Sequence, residues 1–295
     1  MTTPSPLTGA ELRRAAHDLA APFPPLLAEA EHLASTVILG EHGRRRAGLG
    51  DTFWQFRPAE AHDEVRDIDW RRSAMSDSQF VRQKEWQVAQ TVIFWVDRAA
   101  SMGFASEKGG VTKHHRATVI AVALASLLIR AGERVGMTAP DLPVGSARGH
   151  LSRMAGLLSG LDAVDYGAPR DTGMASHGRA VFVSDFLGDL APVEEAIARA
   201  ADRDVRGVIL QVLDPAEEAF PYDGRTIFES MGGGLVHETL KAGDLKERYL
   251  DRLASRKDRL GALAREAGWQ FATHHTAESA AMVLLWAYQA LERRH

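Results

Sequence analysis

The sequence predicts an α/β fold with a doubly wound, mostly parallel sheet and helices on both faces. Three runs carry the prediction: Thr91–Val96 (TVIFWV), Arg179–Ser184 (RAVFVS) and Val205–Leu213 (VRGVILQVL). Each is a continuous β-branched and aromatic stretch, the pattern of a strand buried on both faces. Helical segments of ordinary length lie between them, and strands alternating with helices imply a parallel sheet covered on both faces.

Along the chain, residues 9–34 read as helical pieces broken at Pro24-Pro25, because proline removes a helical donor. Gly40 to Glu85 carries nine basic and nine acidic residues, with Phe53, Trp54, Phe56 and Trp70 among them. That aromatic content is too high for a disordered linker, so the segment reads as irregular but folded, ending in a strand near Gln79–Gln90. Lys113–Arg130 is a long apolar-rich helix. Glu133–Ala139 reads as a short strand, Gly149–Leu161 as a helix and Leu190–Ala201 as another. Arg225–Glu229 reads as an edge strand, Asp244–Ala267 as a charged helix, Trp269–Thr273 as a strand and Glu278–Arg293 as the last helix. The organisation expected is therefore an N-terminal helical segment (1–34), an Arg/Asp-rich segment that forms at most a small β lobe (35–90), and the sheet domain (91–295).

Composition narrows the function. The 295 residues include 35 Lys+Arg, 39 Asp+Glu and no cysteine, for a net charge of −4. Without cysteine there is no disulfide, no Cys-held zinc or iron–sulfur cluster and no thiol nucleophile. A near-neutral balance argues against nucleic acid as a partner. The most apolar stretch, Val119–Ile129, has eleven residues, well short of the ~20 needed to span a bilayer. Met1–Ala30 lacks the basic and apolar regions of a signal peptide. A cytoplasmic protein without membrane insertion is the expectation. Gly-x-Ser-x-Gly and Gly-x₄-Gly-Lys-Ser/Thr motifs are missing, and Gly232-Gly233-Gly234 lacks a dinucleotide-binding context.

Two strand ends hold the candidate chemistry. TVIFWV runs into Asp97-Arg98-Ala99-Ala100-Ser101, and RAVFVS ends in Ser184-Asp185. In open α/β sheets ligands bind outside the carboxyl ends of the strands, at the topological switch point. Asp97, Asp185 and the Ser101 hydroxyl are hard oxygen ligands suited to Mg²⁺. The same aspartates could instead cap the segments that follow. In the charged segment, Arg57, Arg66 and Arg71 are placed to form bidentate pairs with Asp63, Asp67 and Asp69, and Trp70 offers an anchor and a face for an arginine. The pairs His114-His115 and His274-His275 are sequence neighbours that share no face, and read as structural or surface residues. Arg44-Arg45-Arg46 reads as a solvated loop.

A strand ending in Asp-x-Ser-x-Ser, with a later strand ending in Asp, resembles the metal-ion-dependent adhesion site of von Willebrand factor A domains. The segment GEHGRRRAGLGDTFWQFRPAEAHDEVRDIDWRRSAMSD resembles the signature of the bacterial domain-of-unknown-function 58 family, with landmarks at Gly48, Gly50, Phe53, Arg57, Asp63, Arg66, Ile68, Asp69, Trp70 and Arg71. The resemblance implies an A-domain-like fold, a MoxR-type AAA+ ATPase as partner, and Mg²⁺ held by Asp97, Ser101, Asp185 and a loop threonine, for which Thr172 is the candidate. Ala99 departs from the pattern by removing one hydroxyl ligand. The function expected is a non-enzymatic interaction module that binds through the strand-end loops around Asp97 and Asp185. The alternative is a Mg²⁺-dependent phosphohydrolase or nuclease built on the same aspartates.

Overall fold

In the computed structural model the described residues are 23–36, 44–48, 52–60, 63–75, 78–147, 149–170, 172–234 and 236–292. They divide into two compact units, one formed by Glu41–Gln90 and the other containing helix Phe23–Ser35 together with the chain from Thr91 onward.

The smaller unit is more regular than its sequence suggests. Strands β1 (Arg44–Gly48), β2 (Thr52–Pro58) and β3 (Phe80–Val88) form an antiparallel sheet in the order β1-β3-β2. A 3₁₀ turn at Val65–Asp67 and the short helix α2 (Trp70–Ser73) lie between β2 and β3. The expectation of an irregular segment is thus corrected. Its order is seen in the ladder, which pairs β3 antiparallel with both β1 and β2. The side chains of Arg44, Arg45 and Arg46 lie outside the described residues, although their backbone is strand rather than loop.

The larger unit is built on a six-stranded sheet in the order β11-β8-β7-β4-β5-β6. Its strands are β4 (Thr91–Val96), β5 (Arg134–Met137), β6 (Leu142–Gly145), β7 (Arg179–Ser184), β8 (Arg206–Leu213) and β11 (Gln270–His275). Every neighbouring pair is parallel except β5 with β6. The chain starts at central β4, winds outward through β5 and β6, then returns to β7 and winds the other way. The switch point lies between the carboxyl ends of β4 and β7, where the sequence places Asp97 and Asp185.

Successive residues of β4 feed opposite cores. Val92, Phe94 and Val96 pack with helices α1 (Phe23–Ser35), α3 (Lys113–Arg130), α4 (His150–Leu157) and α8 (Ala280–Glu292). Ile93 and Trp95 pack with α5 (Ala191–Ala201) and α7 (Lys246–Glu266). This alternation is why the strand reads as one unbroken apolar run. Trp269, 2% exposed, anchors the second core: its indole N–H donates to Val205 O at 2.9 Å, and its ring meets Phe182 edge-on at 5.1 Å.

Three boundaries differ from the sequence reading. Pro24 and Pro25 stand in the first turn of α1, where there is no intrahelical donor to lose, and the helical piece expected before them lies outside the described residues. Helix α4 stops at Leu157. Strand β6, LPVG, was too short and too proline-bearing to read, and sits at the sheet edge where a missing N–H is tolerated. Thr226–Glu229 (β9) is no edge of the main sheet. It pairs with β10 (Val236–Thr239) in a separate antiparallel ribbon, following the short helix α6 (Pro215–Ala219). Among the described residues no helix is long and apolar enough to cross a membrane.

Two stability tests follow. Trp269→Ala should cost about 3–5 kcal/mol in urea unfolding, because it opens a cavity and orphans the Val205 carbonyl. His114 is depressed to about 4 by burial and then by Arg98, and His274 to about 4 by burial and then by Arg116. Between the ordinary value of 6.5 and about 4 the unfolded imidazoles bind protons that the native ones refuse, so stability falls as pH drops through that window. His274→Gln should flatten the melting-temperature profile there.

Candidate functional site

Asp97 and Asp185 end adjacent strands, and both are almost wholly buried, at 2% and 1% exposed. Neither caps a long helix. Asp97 Oδ1 accepts from Ala99 N at 2.9 Å and Asp185 Oδ1 from Leu187 N at 3.0 Å, so each turns its own loop through an Asx contact two residues on. The two strand ends are joined by Ser184, whose hydroxyl donates to Asp97 Oδ2 at 2.6 Å and accepts from Phe186 N at 3.0 Å. Gln211 on β8 donates to Asp185 O at 2.9 Å and accepts from Thr273 Oγ1 at 3.1 Å, extending the network to β11.

The counter-charge comes from Lys113, the first residue of α3. Its Nζ lies 2.8 Å from Asp185 Oδ2 and 2.6 Å from Glu217 Oε1, over the Phe104 ring at 5.7 Å. Burial by itself would lower this ammonium's pKa, but Asp185 and then Glu217 outweigh it and hold Lys113 above its ordinary value. Glu217 is fixed by a second role. Its Oε2 accepts from Asp214 N at 2.8 Å, closing the capping box that starts α6 after β8. One lysine thus ties the ends of β7 and β8 to the start of α3.

A loop roofs the crevice. Ala100 N and Ser101 N donate to Val164 O and Asp165 O, and Arg98 holds Gly160 O and Asp162. Asp165 in turn accepts from Gly232 N at 2.6 Å and Ser230 Oγ at 3.1 Å. Gly167 passes so close that a Cβ there would sit 2.2 Å from Asp97 Oδ1. Burial under this roof pushes the Asp97 carboxyl above its ordinary value, against the lowering effect of its hydrogen bond from Ser184.

Of the expected metal ligands, Asp97 and Asp185 are brought together at the switch point. Ser101 sits in the 3₁₀ turn Ala100–Gly103, and its Oγ is buried without a hydrogen-bond partner. The Thr172 hydroxyl is engaged elsewhere, at 3.1 Å from Thr138 Oγ1, beyond the carboxyl end of β5. A hard divalent cation needs open oxygen ligands. Here all four carboxylate oxygens of the two aspartates already accept from the protein, and Asp185 is neutralised by Lys113. The donor set does not fit a resident Mg²⁺. Among the described residues no cluster of three or more His, Asp or Glu side chains is arranged to hold a metal.

In the smaller unit, Arg57 grips Asp63 through two bonds, Nη1–Oδ2 at 2.6 Å and Nη2–Oδ1 at 2.5 Å, and Asp63 also accepts from Glu60 N. Of the other expected partners, the Asp67 side chain lies outside the described residues. Arg66 pairs with Glu64, both exposed, because the 3₁₀ turn carries it outward. Asp69 caps α2 by accepting from Arg72 N at 3.0 Å. Arg71 makes no ion pair among the described residues and is exposed. Trp70 is 56% exposed rather than an anchor; the arginine–ring contacts belong to Arg72, over Phe56 and Phe80.

Sequence reasoning missed Lys113, Ser184 and Glu217. A signal for Lys113 existed: basic residues at the positive end of a helix, as in Lys113-His114-His115-Arg116, oppose the helix dipole and call for acidic partners.

These features define a doubly wound α/β chain whose switch-point crevice is closed by an internal ion pair. Residues 55–258 match the family described as "Protein of unknown function DUF58", and the chain belongs to that family. Uncharacterized proteins of Mycobacterium tuberculosis and Mycobacterium bovis are 26% identical to it over 217 residues, covering 68% of this chain and 67% of theirs. Among solved structures, the conserved hypothetical protein BatB of Bacteroides thetaiotaomicron is 16% identical, with a TM-score of 0.40, covering 68% of this chain and 98% of its own. An aerotolerance-related membrane protein of Bacteroides fragilis is 14% identical, with a TM-score of 0.40, covering 69% and 98%.

The site's electrostatics are testable. Because the native state keeps the Asp97 proton that the unfolded chain releases, wild-type stability should fall as pH rises from 3.8 toward the raised native value. Asp97→Asn cannot titrate, so the stability difference between the two proteins should shift in the variant's favour across that interval in urea melts at stepped pH. Asp185→Asn should cost about 3–5 kcal/mol, since it breaks a buried pair.

Proposed function

We propose that this chain is a non-enzymatic protein-interaction module of von Willebrand factor A-like architecture, acting through the loops at the carboxyl ends of its strands. The observation that carries the reading is the contrast between a closed crevice and an apolar rim. The acids that could do chemistry are sealed, whereas Leu161, Val164 and Met231 stand exposed on the loops directly above them. Leu161 and Met231 both reach the position above Gly103, beside Ser101. Contiguous exposed apolar residues with a polar surround mark interaction sites.

Beyond the rim, Phe220, Tyr222, Phe228 and Tyr249 line a groove of about 490 Å³, with ring centroids 5.0–5.8 Å apart. Arg248 and Arg252 project along it from α7, exposed and without an ion pair among the described residues. Aromatic anchors flanked by available arginines are the composition of a protein-binding hot spot. Each aspartate oxygen already accepts a hydrogen bond within the protein and both side chains are almost wholly buried, which weighs against phosphohydrolase chemistry. The partner proposed is a MoxR-type AAA+ ATPase, from the likeness of the charged signature segment to its family.

The test is affinity capture with the full chain and the MoxR-type ATPase of the same organism. Wild type should retain the ATPase, and a Val164→Asp/Met231→Asp variant with unchanged melting temperature should bind at least about tenfold more weakly. Equal capture by both proteins would remove the rim from the interface.

A further inference from the structure

An ammonium buried at a helix N-terminus is doubly unfavourable, since the dipole repels it and desolvation penalises it. Lys113 is placed this way at 1% exposure, and two of its three donors are spent on Asp185 Oδ2 and Glu217 Oε1. The third side of the ammonium faces the Phe104 ring, which keeps water from it. The carboxylates come from two separate strand ends, so the lysine does what a bridging cation would do. It gathers acids from different loops around one positive centre.

We propose that the Lys113 ammonium is a built-in substitute for a divalent cation, so that this crevice takes no metal. Three further observations agree. The hydroxyl ligand that residue 99 would supply is replaced by an alanine methyl, 1% exposed and already packed. Asp97, the acid not reached by Lys113, is satisfied by neutral donors alone, namely the Ser184 hydroxyl and the N–H groups of Ala99 and Gly167. The Thr172 hydroxyl is paired with Thr138. The Ser101 Oγ is the single leftover oxygen of the set, and one hydroxyl does not hold Mg²⁺ against its hydration shell. A tethered cation also differs in kind from a metal. It leaves no open coordination position, so it cannot recruit an acidic ligand from outside, and the crevice serves to hold the loops in place.

The full chain should be titrated with Mn²⁺, followed by the paramagnetic resonance of the free ion, and with Mg²⁺ by calorimetry. Wild type should show no binding below millimolar concentration. Lys113→Met keeps the length and apolar stem but frees Asp185 and Glu217, and should bind Mn²⁺ at least about tenfold more tightly than wild type, equal to about 1.4 kcal/mol. Micromolar binding by wild type would overturn the proposal, as would a folded Lys113→Met variant that gains nothing. Should that variant prove too unstable to titrate, its melting temperature with and without Mg²⁺ decides. A rise supports the substitution of metal for lysine, and an unchanged value refutes it.

Discussion

The ion pair of Lys113 with Asp185 and Glu217 is the constraint on which the rest of the functional end of the molecule depends. It joins the first residue of α3 to the ends of β7 and β8 with contacts of 2.8 and 2.6 Å. Every loop at that end is then referred to it. Asp185 turns its own loop through Leu187, Glu217 closes the cap of α6, and Ser184 passes the alignment to Asp97 on the neighbouring strand. Buried pairs do not by themselves add net stability over apolar packing. What this one does is positional: a single ammonium holds Asp185 and Glu217 at fixed distances from the start of α3.

The loops above the closed crevice are held by the same framework. The loop that carries Val164 and Tyr166 is pinned from below by Ala100 and Ser101 and from the side by Gly232. The backbone beneath its apolar side chains is therefore fixed at several points. The neighbouring aromatic groove is built on the same foundation, since Glu217 both lines it and holds Lys113. In the smaller unit Arg57 and Asp63 play a comparable part on a local scale, fixing the chain between β2 and the 3₁₀ turn through a bidentate contact.

Much of the architecture was legible because burial on both faces leaves an unmistakable trace. TVIFWV, RAVFVS and VRGVILQVL are β4, β7 and β8 almost to the residue. The illegible parts share a physical cause. LPVG is a short edge strand with no second face to bury. The small antiparallel sheet of Glu41–Gln90 is ordered by ladder pairing of strands dense in charge, which carry no strong hydrophobic period. The pairing of arginines with aspartates was only partly readable, as composition allows many partners and the turn at Val65–Asp67 decides which way Arg66 points.

The sequence by itself determined that an acid would stand at the end of each central strand, since strand length and the Asp that follows it are both local facts. It also determined the absence of thiol chemistry. Only the tertiary structure decided what those acids are for. Lys113 lies 72 residues from Asp185 and 104 from Glu217 along the chain, and no local pattern links them. Their meeting follows from the winding of the sheet, which brings the start of α3 over the ends of β7 and β8. Once there, a lysine in low-dielectric surroundings must find carboxylates, and it finds Asp185 and Glu217.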